Sequence, residues 1–106
     1  MEWIKIFDAD EKRLESIALN NPQLLLVRGK RICLVHGEGQ WLAVEDTCPH
    51  KGESLSKGLV NYLGEVVCPW HGHRFNLKSG REGEQRSRDL ETYPVRLDEE
   101  GLFIGL

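Results

Sequence analysis

Two short segments constrain this chain more than anything else in it: Cys48-Pro49-His50-Lys51-Gly52 and Cys68-Pro69-Trp70-His71-Gly72. Each offers one thiol and one imidazole. The first is spaced Cys-x-His and the second Cys-x-x-His, with 17 residues between His50 and Cys68. Each Cys is followed by Pro, which fixes φ near about −65° and stiffens the segment. Each His is closely followed by Gly: Gly52 two residues on, Gly72 immediately after. Glycine there permits positive φ and a close approach of the backbone to whatever the loop holds. The pattern is too long to recur by chance, so the two segments read as two loops of one site.

Thiolates and imidazoles are metal donors, and their distribution matters as much as their number. Zinc fingers put two Cys on one arm and two His on the other. Here each arm carries one of each, so the two arms can bridge two metal ions, both Cys on one and both His on the other. A tetrahedral zinc site from the same four side chains also has the correct donor atoms. A Cys48–Cys68 disulfide fits only an oxidising compartment.

With CPHKG at 48–52 and CPWHGHRF at 68–75 the sequence resembles the Rieske ferredoxin family, and the resemblance runs over nearly all 106 residues. In such centres two His replace two Cys on one iron of a [2Fe–2S] cluster. The resemblance implies that Cys48 and Cys68 hold the inner iron, and that His50 and His71 hold the outer iron near the surface. It implies an electron-transfer protein, not an enzyme. It would take electrons from an NAD(P)H-dependent flavoprotein reductase and pass them to a terminal oxygenase. A second reading is the Rieske-like small subunit of a larger reductase, such as assimilatory nitrite reductase. Many of those have lost the ligands, whereas all four stand here. A zinc-stabilised interaction module is the third reading.

Departures within the resemblance narrow the branch. High-potential members carry an extra Cys in each loop, where this chain has Glu53 and Trp70. They also place Ser and Tyr after the second His, whose hydroxyls bond to cluster sulfur. Here those positions are His73 and Phe75. Hydrogen bonds to sulfur favour the more negative, reduced state. Without the two hydroxyls the potential is expected toward the lower end of the Rieske range, roughly −150 mV. His73 is left open, as a donor either to sulfur or to solvent. Trp70 either packs under its loop or lines a docking face. The stretch 82–90, which often holds a proline covering the cluster in the family, has none here and is rich in both charges.

A chain of this length is read as one domain, residues 1–106, with a cluster-binding subdomain at about 46–76. The net charge of −3 comes without a basic stripe, which argues against nucleic acid. No segment approaches the roughly 18 apolar residues that span a bilayer, and the charged N-terminus does not read as a signal peptide. Three cysteines, two assigned to metal, fit a reducing cytoplasm; Cys33, in the apolar run Ile32-Cys33-Leu34-Val35, reads as a core thiol. A monomer is expected.

The rest reads as short strands joined by turns. Residues 3–7 alternate apolar and polar. Residues 24–27 and 31–35 form a hairpin around Gly29. Residues 41–44 lead into the first loop, 66–67 feed the second and 74–77 leave it. Residues 93–97 and 102–104 close the chain as a hairpin. The charged stretch 10–14 reads as a solvated turn in preference to a helix. Many short strands at this spacing predict an all-β fold, a small antiparallel sandwich or barrel.

Overall fold

The run Ile32-Cys33-Leu34-Val35 does not alternate, and a strand with that pattern must be buried on both faces. The computed structural model, which describes residues 1–50, 52–70 and 72–106, shows this arrangement. All four residues are fully buried. Ile32 and Leu34 enter one hydrophobic core, with Phe7, Leu25, Ala43, Leu102 and Ile104. Cys33 and Val35 enter a second, with Val44, Leu55, Val66, Phe75, Leu77 and Leu90.

The elements described, in chain order, are β1 (Trp3–Asp8), α1 (Lys12–Ser16), β2 (Gln23–Val27), β3 (Lys30–Gly37), β4 (Gln40–Glu45), β5 (Leu59–Val60), β6 (Glu65–Val67), β7 (Arg74–Asn76), β8 (Thr92–Tyr93), β9 (Val95–Asp98) and β10 (Gly101–Gly105). A 3-10 turn covers Leu55–Lys57. Three antiparallel sheets result, ordered β1-β10-β9, β2-β3-β4-β8 and β5-β6-β7. The first two sheets enclose the first core. The third, with the ligand loops, covers the opposite face of β3 and β4 and closes the second core.

The all-β expectation is borne out. The β2–β3 hairpin turns through Arg28 (φ 50°) and Gly29 (φ 79°), a two-residue loop with both φ positive. That is the turn whose twist matches the strands it joins. The closing hairpin also forms, and β10 pairs with β1 on its other side, joining the chain's two ends.

The structure adds one strand and corrects one expectation. Residues 12–16 form a short helix, not a solvated turn. Leu14 and Ile17, three residues apart, lean together onto the first core and offset the weak local preference. β5 is only two residues long, too short for a periodic signal. On β3 and β4 the cross-strand pair His36 and Trp41 stacks with ring centroids 4.1 Å apart and planes 1° apart. His36 Nδ1 lies 3.2 Å from the carbonyl oxygen of Ile17.

Candidate metal centre

Strand β4 delivers the chain into the first loop and β6 into the second. The two loops then make the same turn. Cys48 N–H donates to Glu53 O at 2.8 Å, and Gly52 N–H donates to Cys48 O at 2.7 Å. Cys68 N–H donates to His73 O at 2.8 Å, and Gly72 N–H donates to Cys68 O at 3.1 Å. Each loop is therefore six residues, closed at Cys and at the fifth residue beyond it, with Gly at the fourth. Gly52 and Gly72 both have φ of 72°. No described protein atom lies within 4 Å of a Cβ built at either, so φ, not crowding, selects glycine. The differing Cys–His spacing changes which position of a shared turn bears the imidazole.

Cys48 is fully buried and Cys68 nearly so, and both belong to the second core. Neither is in a disulfide. Cys33 lies in that same core, and burial pushes its thiol up to about 12. This agrees with a core role for it. His50 is exposed at the loop surface. His71 lies outside the described residues, as does Lys51. Among the described residues, no three His, Cys, Asp or Glu side chains gather as a metal-binding group.

His73 links the loops. Its imidazole stacks on that of His50, centroids 4.1 Å apart and planes 20° apart. It is 5% exposed, and its Nδ1 is buried without a hydrogen-bond partner. Buried ring nitrogens normally find one. Trp70 is 60% exposed, which places it on the loop tip toward solvent.

Two buried carboxylates that the sequence reading passed over shape the surroundings. Asp46, fully buried two residues before Cys48, accepts bonds from the Ser54 hydroxyl and, at 2.7 Å, from Ser56 N–H. Arg31 reaches it at 3.5 Å. Its backbone accepts Leu55 N–H at 2.6 Å and donates to Arg31 O at 3.0 Å. Asp46 thus ties the exit of the first loop back to its entry. Glu82, 1% exposed, does the same for 82–90. It accepts Arg86 Nε at 2.8 Å, Arg86 N–H at 2.9 Å and Glu84 N–H at 2.9 Å. These bonds, the Arg86 side chain's foremost, hold its carboxyl down at about 2 against an ordinary 4.5. At the base of this stretch Leu90 N–H donates to Gly80 O at 2.8 Å, and Arg88 pairs with Glu45 of β4. The stretch 82–90 is therefore an ordered loop. The only sequence signal for either network was an acid with serines or arginine four to ten residues away.

The match to the Rieske [2Fe-2S] domain family covers residues 2–94. The ferredoxin subunit of 3-phenylpropionate/cinnamic acid dioxygenase from Photorhabdus laumondii is 35% identical over 74 residues, 69% of this chain and 70% of that one. Human apoptosis-inducing factor 3 is 33% identical over 75 residues, 70% of this chain; the match spans only 12% of that much longer protein. Among solved structures, the ferredoxin of carbazole 1,9a-dioxygenase from Nocardioides aromaticivorans superposes with a TM-score of 0.85 over 99% of this chain and 98% of that one, at 19% identity. The chain belongs to the Rieske [2Fe-2S] domain family. Its cofactor is a Rieske-type [2Fe-2S] cluster, a one-electron centre. None of the helices in the described residues is long and apolar enough to cross a membrane.

Replacing Asp46 with Ala should strand the Ser54 hydroxyl and the Ser56 N–H in a buried site. The expected cost is about 2 kcal/mol, seen as a Tm lower by roughly 8–16 °C and faster bleaching of the cluster's visible absorbance. An unchanged Tm would remove Asp46 from the account. Because the Glu82 carboxyl is held lower folded than unfolded, its contribution is complete above about pH 4.5 and disappears as pH falls toward 2. Amide protection in 82–90, followed by mass spectrometry and corrected for the intrinsic exchange rate at each pH, should fall over that window. Glu82→Gln should show the lower protection already at pH 7.

Proposed function

We propose that Cys48 and Cys68 hold one iron of the cluster and that His50 and His71 hold the other. The protein would then carry single electrons from an NAD(P)H-dependent flavoprotein reductase to a terminal oxygenase. The observation that carries this reading is the repeated turn. Two loops with the same hydrogen-bond closure present one thiol each to a dry core and meet through the His50–His73 contact. The donor set fits a Rieske cluster, with thiols for the buried iron and an imidazole at the surface for the outer one. When bound, the cluster accepts and releases one electron at a time.

The chain's own residues do the rest. The second core keeps water from the two sulfurs. The rigid turns limit movement when a charge arrives. Exposed His50 and Trp70 give a partner a place to approach. The ferredoxin subunits among the relatives support an oxygenase as acceptor. In this reading residues 1–106 are one domain with its cluster-binding subdomain at about 46–76. It works as a monomer in a reducing cytoplasm, where the thiols stay available to iron.

Low-temperature EPR on anaerobically purified protein, with iron and zinc measured on the same sample, tests the assignment. About two irons per chain and a reduced rhombic signal of low average g are expected. His50→Ala and His71→Ala should each abolish it, because the ligands' binding energy is coupled to loop folding. Zinc without iron would leave a structural metal module instead. A full cluster spectrum in either His variant would overturn that ligand.

A further inference from the structure

We propose that His73 is a positioning residue for the cluster, acting in two ways at once. Its ring fixes the orientation of His50 by stacking on it, and its Nδ1–H donates a hydrogen bond to a sulfur of the bound cluster. The proposal rests on the ligand assignment above and extends it to a residue outside the ligand set.

Three observations converge. First, His73 is a loop-closing residue: its carbonyl oxygen accepts Cys68 N–H at 2.8 Å, so its backbone is fixed against one proposed ligand. Second, its ring lies on the ring of another proposed ligand in the other loop, 4.1 Å between centroids. His50 is exposed, and an exposed imidazole on a loop rotates unless something holds its plane. The stack contributes to that hold, and it does so between the two loops. Third, a ring needed only for stacking would be served better by Phe, which carries no polar atom to bury. His73 instead buries a nitrogen with no protein partner, at 5% exposure. A buried polar atom left without a partner is destabilising, and buried ring nitrogens normally have one. Among the described polar groups no other side-chain atom is left so, save the hydroxyl of Ser87. Anionic sulfur is the acceptor that the chemistry of this site supplies.

The two actions separate by substitution. His73→Phe keeps a stacking ring and removes the donor. His73→Asn places a donor near the Nδ1 position and removes the ring. Donation to sulfur favours the reduced state, so its loss must lower the potential. For His73→Phe, protein-film voltammetry should show the one-electron reduction equilibrium weakened about tenfold, a fall of about 59 mV. Its reduced EPR g values and cluster half-life should stay near those of the parent. For His73→Asn the potential should stay near the parent's. The cluster should be lost to chelator about tenfold faster, as when a group that orients a metal ligand is removed. An unchanged potential in His73→Phe would overturn the hydrogen bond. A parental chelation rate in His73→Asn would overturn the stacking role. Absence of any cluster in the parent protein would instead overturn the ligand assignment, and this inference with it.

Discussion

Everything in this fold hangs on a strand that has no outside. β3 is buried on both faces, so its side chains must fill two cores at once. Ile32 and Leu34 anchor the two-sheet sandwich on one side. Cys33 and Val35 anchor the ligand-loop sheet on the other. β4 repeats the division with Ala43 and Val44. A slip of one residue in the β3–β4 register would exchange the two cores' side chains, so the register is strongly specified. The metal centre inherits that rigidity, because its first loop is the direct continuation of β4.

The loops themselves are one backbone solution used twice. Proline after each Cys presets φ, glycine four residues after each Cys supplies the positive φ, and the Cys backbone closes the turn from both its N–H and its C=O. The thiols point into a dry core, and the imidazole of His50 stays at the surface. Under the proposed ligand assignment, a cluster held this way would be graded in polarity from its cysteine side to its histidine side. The grading suits an electron carrier. The dry side would limit solvent reorganisation, and the exposed His50 side would face whatever docks.

Much of this was legible in the sequence. The ligand motif, the β2–β3 turn at Arg28-Gly29 and the double burial of β3 all have strong local causes: fixed spacings, a glycine turn, an uninterrupted apolar run. The helix over Lys12–Ser16 was not, because only tertiary contact of Leu14 and Ile17 stabilises a segment that short. The equality of the two turns was hidden by their unequal Cys–His spacing, and it becomes visible when the loops are aligned on Cys and Gly. Asp46 and Glu82 read as ordinary acids because their burial is decided by chain segments that fold over them. The assignment of His71 rests on its motif, Cys-x-x-His-Gly, because it lies outside the described residues.

Cys33 shows how the same side chain is given opposite chemistry by position. It shares a hydrophobic core with Cys48 and Cys68, yet it stands in mid-strand, where every backbone group is committed to the sheet. Its thiol is pushed up to about 12, so it stays protonated and is a poor ligand. Cys48 and Cys68 stand at turns, where the backbone has left the sheet and the sulfur can face a second loop. Burial alone therefore does not make a cluster ligand. The two proposed ligand cysteines combine burial with a turn that takes the backbone out of the sheet, and the Pro-to-Gly frame supplies that turn at both.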